Sequence, residues 1–468
     1  MAPKHPEDCQ LTYFRSQVKP DTGRAAWRAL LCCLAIALPH ATLAAPAATA
    51  TVEQEADYSA MDEGARLRLL IALVNSGSHQ LAKSLLQNGP AFSGPLATNR
   101  SRFVEGLILR AEGDMAGAVE QFRAVLASNP SLTLVRKELA VTLNAMGEDD
   151  SAKHHLELLM AEAPDQQAAG SIKSFIDQID SKSPYKFSAY VSLAPSTNVS
   201  GGTKHDVIYA SNGFAFTPDN RQESGIGLSA GVNGGYSKSL GSQNSIILGA
   251  GLNGRLYEQG SFNQLTTSET AELRHNFLRG HAGIGAISSQ SFSGQHHDLG
   301  YYSFGPRLTL LARPTAKSSI QSTSTIEFRT FPDDEAHDGY TAGEILNGTY
   351  AFSQTTVAFG KLGYEFTNTD FDYLDTDAYI LGAGIYQEFG LGISVTGNAN
   401  VRFTDYLAKW DGARRDTRYD VSVSATKRDW SLWGYAPEIE YGYSRNDSNV
   451  DIFETESHSV DLRLTKDF

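Results

Sequence analysis

From residue 185 to 468 the chain alternates apolar positions with small or polar ones, with a period of two. Ile226, Leu228, Ala230, Val232 and Tyr236 interleave with Gly225, Gly227, Ser229, Asn233 and Gly235. Ile246, Leu248, Ala250, Leu252 and Leu256 do the same against Gly249, Gly251, Asn253 and Arg255. The pattern returns at Val421, Val423 and Ala425, at Pro437, Ile439, Tyr441 and Tyr443, and at Val460, Leu462 and Leu464. Successive side chains of a strand point to opposite faces, so each run has one apolar face. No helical segment follows to cover that face, which leaves lipid as the covering medium. A strand edge in lipid finds no water to bond, so the sheet must close on itself. The pattern predicts a transmembrane antiparallel β-barrel over 185–468.

Fourteen strands fit, with centres running from Ala189 and Ala230 to Tyr441 and Leu462. Roughly 20 residues per strand and connection leave room for the about 9–11 that span a bilayer. Short connections such as SLGSQN (239–244), LRGH (278–281) and EFGL (388–391) alternate with longer polar ones such as 198–221, 331–339 and 405–416. That asymmetry predicts short periplasmic turns at one rim and outer loops at the other. Tyr185, Tyr236, Tyr257, Phe403 and Tyr406 fall at strand ends, as interfacial aromatic girdles do.

Residues 61–180 follow another rule. Gly113, Ala118, Phe122 and Pro130 recur 34 positions later as Gly147, Ala152, Leu156 and Pro164, with Gly106 matched by Ala140 and Leu109 by Leu143. A looser unit with Gly77, Ala82 and Leu86 precedes them. Small residues where helices pack, a closing Pro and a 34-residue period resemble tetratricopeptide repeats. One such unit cannot bury its apolar face alone, so units stack into a solenoid. In that register the first helices line a concave face holding Arg100, Phe103, Leu107, Arg110, Leu134, Lys137, Val141 and Asn144. Mixed basic and apolar residues there suit an extended peptide segment; support of the barrel mouth is the other use open to them.

Arg24 and Arg28 precede the apolar run Ala29–Leu38, and small residues continue through Ala48. This reads as a signal peptide over 1–44, with 45–60 a linker. All three cysteines, Cys9, Cys32 and Cys33, lie in the leader, so no disulfide, thiolate metal site or cysteine nucleophile is expected after it. Formal net charge is −14, and removing the leader's five basic and three acidic residues leaves 34 basic against 50 acidic. An acidic chain disfavours nucleic acid as a partner.

Several motifs resemble chemistry without its context. Gly227-Leu-Ser229-Ala-Gly231 has the nucleophile-elbow pattern but sits inside a spanning strand rather than a strand–turn–helix. The pattern of Gly249, Gly251 and Gly254 opens no helix to present to a phosphate. His154-His155 and His296-His297 are adjacent, not at the i,i+4 spacing that puts two ligands on one helix face. Asp333, Asp334, Glu335 and Asp338 lack the EF-hand spacing and read as solvated loop. No enzyme activity, cofactor or metal is expected.

A leader, a short tetratricopeptide-like solenoid and a barrel of about fourteen strands together resemble the surface lipoprotein assembly modulator (modifier) family of Gram-negative outer membranes. Ala194, Pro195 and Asn198 resemble the family's first strand where it runs into the first outer loop. Arg445, Asn446, Ser448 and Asn449 resemble its penultimate hairpin. Val460, Leu462, Leu464 and Phe468 resemble the signal read by barrel-assembly machinery, with Lys466 departing from the aromatic often found there. The resemblance implies transport rather than catalysis: surface lipoproteins, or related secreted proteins that acquire host iron or haem, are delivered from the periplasm to the cell surface. Implied partners are that cargo, outer-membrane lipids, the barrel-assembly machinery and periplasmic chaperones. An exopolysaccharide export porin and a general diffusion porin with a periplasmic helical domain are the alternative readings. The first would carry a longer repeat array and a lumen of acidic and aromatic residues.

Overall fold

The computed structural model describes residues 58–209, 213–294, 298–407, 413–430 and 435–465. The leader, all three cysteines, His296, His297, Lys466 and Phe468 lie outside the described residues.

Seven named helices come first: α1 (Glu63–Asn75), α2 (His79–Asn88), α3 (Ala97–Glu112), α4 (Met115–Ser128), α5 (Thr133–Met146), α6 (Asp149–Met160) and α7 (Gln166–Lys182). Asp62, Asp114 and Asp165 each cap a helix start, accepting from Ala65, Gly117 and Ala168 amides at 3.0, 2.9 and 2.8 Å. Such caps satisfy amides with no partner inside the helix. The 34-residue repeat has a structural origin in the helix ends. Gly113 and Gly147 sit at φ 93° and 82°, where a Cβ is disfavoured. Asp114 N–H bonds Leu109 O and Glu148 N–H bonds Leu143 O, both at 2.9 Å, the six-to-one closure of a left-handed helix cap. Ala118, Phe122, Ala140 and Ala152 are wholly buried between the helices they join. A Cβ on Gly106 would meet the Phe122 ring at 2.7 Å, which is why that helix crossing needs a small residue.

The remaining chain forms a closed antiparallel barrel of fourteen strands. They are β1 (Tyr185–Ser196), β4 (Gly225–Ser239), β5 (Asn244–Tyr257), β6 (Gln264–Phe277), β7 (Gly280–Ser293), β8 (Asp298–Thr315) and β9 (Ser318–Thr330). They continue with β10 (Gly339–Ser353), β11 (Thr356–Thr369), β12 (Thr376–Glu388), β13 (Ile393–Tyr406), β14 (Arg415–Lys427), β15 (Ala436–Ser448) and β16 (Thr455–Thr465). The ribbon β2 (Ile208–Tyr209) with β3 (Ala215–Phe216) stands in the first long loop. Each strand pairs with its chain neighbours, and β1 closes the ring against β16. The alternation read from the sequence is the alternation of faces. Ile226 and Leu228 stay 64% and 45% exposed on the outer wall, whereas Ser229 beside them is 6% exposed on the inner one. So large an apolar exposure around a closed sheet is covered only by lipid.

Candidate docking face and lumen

The helical segment meets the barrel at the short-turn rim, and the contact is built around one arginine. Arg136 of α5 has its side chain wholly buried. Its guanidinium bonds both carboxylate oxygens of Glu388 at the end of β12, one of them at 3.1 Å. It also donates to Gln354 Oε1 at 3.2 Å and to Pro130 O at 2.8 Å, and stands 3.2 Å from His155 Nδ1. Glu388 is equally buried and takes a second cation, Arg428, at 3.1 Å, with Tyr386 O–H donating at 3.0 Å. Gln354, in the β10–β11 turn, donates to Ser131 O at 2.6 Å and Thr133 Oγ1 at 3.1 Å, and its amide meets Glu162 at 3.2 Å. Arg136 and Arg428 share the Glu388 carboxylate as counter-charge, which burial in a low-dielectric interface demands.

Two further contacts fix the orientation. Arg279, in the β6–β7 turn, donates to Gln166 Oε1 of α7 at 2.8 Å. Leu391 N–H, in the β12–β13 turn, bonds Ala127 O of α4. Leu391 holds φ 64°, a conformation a non-glycine residue adopts only where its surroundings impose it. The turns contacted run from β6–β7 through β10–β11 to β12–β13, nearly opposite points of the ring. The helices therefore lie across the mouth rather than beside it.

Burial pushes His155 well below the usual imidazole value of 6.5 and takes His154 down to about 4, and the nearby Arg136 and Arg428 act in the same direction. Docked, both rings are neutral; released into water they gain a proton near 6.5. A lowered docked pKa makes the contact complete above about pH 6.5 and weaker as pH falls towards 4. Tryptic cleavage at Lys182–Ser183, between α7 and β1, measured relative to an unstructured peptide at the same pH, is expected to be slow at pH 7.5 and to accelerate at pH 5. The double variant His154→Gln with His155→Gln, which cannot take either proton, should flatten that dependence; an unchanged slope would remove the histidines as its cause.

The concave face expected from the repeat register is only partly an open surface. Phe103 and Leu107 belong to the buried core, at 5% and 2% exposure, because α3 packs against α4 on one side and the preceding helices α1 and α2 on the other. That corrects their assignment as groove-lining side chains. Arg100 pairs with Glu63, and Arg110 with Glu138 at 2.7 Å, so neither cation is unengaged. Lys137 lies 3.7 Å from Glu138; Val141 and Asn144 are half-buried, and Leu134 is half-exposed. Of that set the open face retains Leu134, Lys137, Val141 and Asn144.

The barrel motifs come together at the other rim. Ala194 is buried in β1. Asn198 Nδ2 donates to Gly202 O at 3.0 Å and, across the ring closure, to Glu456 O at 3.1 Å. Asn446 donates to Phe453 O at 2.8 Å, closing the β15–β16 hairpin. Asn449 donates to Ala413 O at 3.1 Å and accepts from Arg415 N–H at 2.7 Å, while Arg445 pairs with Asp447 at 2.6 Å. Ser448 Oγ accepts from Val450 N–H at 3.1 Å. The nucleophile-elbow and glycine-rich motifs are straight strand in β4 and β5. Asp338 accepts from Phe331 N–H at 2.6 Å, and Asp334 meets His337 at 2.8 Å, so that acidic loop spends two of its carboxylates on its own fold.

The lumen carries more charge than the small polar residues of the strands suggested. Glu272 with Arg274 at 2.7 Å, Glu365 with Arg402, and Arg418 with Asp420 at 3.0 Å form compensated pairs along its wall, and Arg463 lies between two carboxylates, Glu438 and Glu440. Sequence reading missed the docking knot as well. Its signal was Arg136 standing on the apolar stripe of Leu132, Leu139 and Leu143; Gln354, Glu388 and Arg428 carry no local signal at all.

A family model described as surface lipoprotein assembly modifier matches residues 185–468, and a tetratricopeptide repeat model matches 109–174. A surface lipoprotein assembly modifier of Pasteurella multocida is 26% identical over 160 residues, 33% of this chain and 30% of that protein's length. Surface lipoprotein assembly modifier 1 of Haemophilus influenzae is 21% identical over 384 residues, 78% of this chain and 77% of its own. Among solved structures, a loop-deletion form of OmpT from Vibrio cholerae overlaps 60% of this chain and 99% of its own, at 8% identity and a TM-score of 0.33. OccAB4 of Acinetobacter baumannii overlaps 60% and 97%, at 8% identity and a TM-score of 0.31.

Proposed function

The chain belongs to the surface lipoprotein assembly modifier family, and from that premise we propose that it passes lipoproteins from the periplasm through the outer membrane to the cell surface. The barrel sits in the outer membrane with its helical segment on the periplasmic side. The observation that supports passage is the placement of the repeats: they lie across the periplasmic mouth, held to the rim by Arg136, Glu388 and Gln354. A cargo approaching the lumen meets them first. The open positions Leu134, Lys137, Val141 and Asn144 offer an extended segment apolar contact and a cation.

Barrels of this size lie between side-chain-filled eight-strand forms and the open channels of 16–18 strands. The cargo therefore travels as an incompletely folded chain and folds outside, which supplies direction without a nucleotide. The activity is transport, with no catalytic step and no cofactor. Cargo of the host iron- or haem-acquiring kind, hand-over by periplasmic chaperones, and insertion through the barrel-assembly machinery by Val460, Leu462, Leu464 and Phe468 complete the reading. The compensated lumen pairs speak against a polysaccharide exporter, whose conduit would favour an acidic, aromatic wall.

The test is protease shaving of intact cells with and without the gene, with all acylated proteins labelled. Loss of a labelled protein from the shaved fraction in the deletion strain, reproduced by a chain lacking residues 61–180, is the expected result. Equal shaving in all strains would overturn delivery. Solute uptake changing in place of shaving would turn the reading to a diffusion porin.

A further inference from the structure

A second polar cavity stands apart from the docking knot. It lies at the periplasmic rim where the α5–α6 turn, the end of α7 and the start of β1 meet, and its volume is about 190 Å3. A single water needs about 10–15 Å3, so the space has room for a ligand of several heavy atoms. One wall offers hydrogen-bond donors that the chain leaves unused. Helix α6 starts after Glu148 with no side-chain cap, so no capping residue satisfies the amides of its first turn. Ser151, in that turn, is 3% exposed and lines the cavity, and its hydroxyl has no hydrogen-bond partner among the described residues. Amides at a helix start, with a hydroxyl beside them, are a receptor for phosphate oxygens.

Two ammonium groups share the cavity. Lys153 Nζ lies 2.7 Å from Asp150 and 3.2 Å from Asp180, and Lys186 Nζ lies 3.1 Å from Asp180. An ammonium has three donors, so both lysines keep capacity for a further acceptor. The opposite requirement is present as well. Asp149 lines the same cavity, half-buried, and its carboxylate has no partner among the described residues. Spare donors beside a carboxylate without a cation fit a ligand that carries both signs of charge. Tyr185 and Phe187 complete the wall, 72% and 69% exposed on the lipid-facing side of β1. Tyr185 packs on Tyr236 with ring centroids 5.2 Å apart, at the level where aromatic girdles meet lipid headgroups.

We propose that this cavity binds a phosphate ester bearing a primary ammonium, supplied as the headgroup of a phosphatidylethanolamine in the periplasmic leaflet. Its phosphate accepts from the first-turn amides of α6, the Ser151 hydroxyl and the two lysines, and its ammonium donates to Asp149. The acyl chains leave the cavity past Phe187 and lie along the apolar outer wall, where each methylene stays out of water. A soluble phosphoethanolamine has the same polar chemistry; the exposed aromatic wall is what favours the lipid. Because helices and strand together form the cavity, the bound lipid ties α6 and α7 to the membrane surface beside β1.

The test uses the full-length chain in detergent, titrated with phosphatidylethanolamine, phosphatidylglycerol or phosphatidylcholine and read by native mass spectrometry. One phosphatidylethanolamine should be retained per chain, about tenfold more tightly than the other two. Phosphatidylglycerol lacks the cation, and the quaternary ammonium of phosphatidylcholine has no N–H to donate. Asp149→Asn should erase the preference for phosphatidylethanolamine over phosphatidylglycerol, whereas Ser151→Ala should weaken both lipids alike. Helical circular dichroism and heat-dependent gel migration equal to the parent show that each variant folds. The parent chain supplies a measurement that needs no variant: tryptic cleavage at Lys182–Ser183, beside the cavity, should slow as phosphatidylethanolamine is added. Equal retention of the three lipids, or an Asp149→Asn chain that keeps the preference, would overturn the proposal. Soluble phosphoethanolamine slowing cleavage at the same concentration as the lipid would overturn the lipid as its source, and inorganic phosphate doing so would overturn the role of the ammonium.

Discussion

Glu388→Ala is expected to release the helical segment from the barrel rim, because it leaves Arg136 and Arg428 facing one another with no anion between them. Both partners of the Arg136–Glu388 pair are wholly buried. Breaking one side of such a pair costs about 3–5 kcal/mol, since the survivor keeps its desolvation penalty and loses its compensation. That is a shift of roughly two to four orders of magnitude in the docked equilibrium. Arg136→Ala should cost less, because Glu388 then retains Arg428 at 3.1 Å and the Tyr386 hydroxyl at 3.0 Å. The ordering of the two variants is the informative result, and it separates a charge effect from simple loss of packing. Hydrogen exchange over α5 and tryptic cleavage at Lys182–Ser183 both report release, while heat-dependent migration of the barrel on gels stays as in the parent. Protection equal to the parent in Glu388→Ala would show that the knot does not hold the helices in place.

The second large effect is expected inside the solenoid. Phe122 is wholly buried, with its ring against Phe103 at a centroid distance of 6.0 Å and over the site where Gly106 lacks a Cβ. Phe122→Ala removes the ring from a crossing where the backbones already approach as closely as glycine allows, so collapse cannot fill the space. A loss of about 3–5 kcal/mol follows for such a truncation. Only nearest neighbours hold a repeat array together, so the damage spreads to α3, α4 and the helices stacked on them. Thermal unfolding followed by helical circular dichroism should show an earlier helical transition with the barrel signal unmoved. Phe122→Leu, which keeps most of the apolar volume and matches Leu156 one repeat later, should recover much of the loss. If surface delivery depends on the repeats, Phe122→Ala also lowers it and Phe122→Leu restores it.

The sequence alone carried the two architectures. Period two gave the barrel its faces and its fourteen strands, and the 34-residue recurrence of Gly113 and Gly147 marked where helices end left-handed. Both are local properties, set by a residue and its near neighbours in the chain, and so they are written wherever those neighbours are written. What local pattern does not hold is which face of an element meets which distant surface. Each solenoid helix is covered on two sides, so the register that named Phe103 and Leu107 as groove-lining found core residues. Arg136 and Glu388 lie 252 positions apart and become partners only when the helices fold back over the rim. The seam between β1 and β16 exists only once the ring closes, for it is the strand pairing whose two strands come from opposite ends of the barrel sequence. Tertiary structure decided these three features because each is a meeting of surfaces that local pattern does not specify, and burial of a side chain or a charge has a consequence only where they meet.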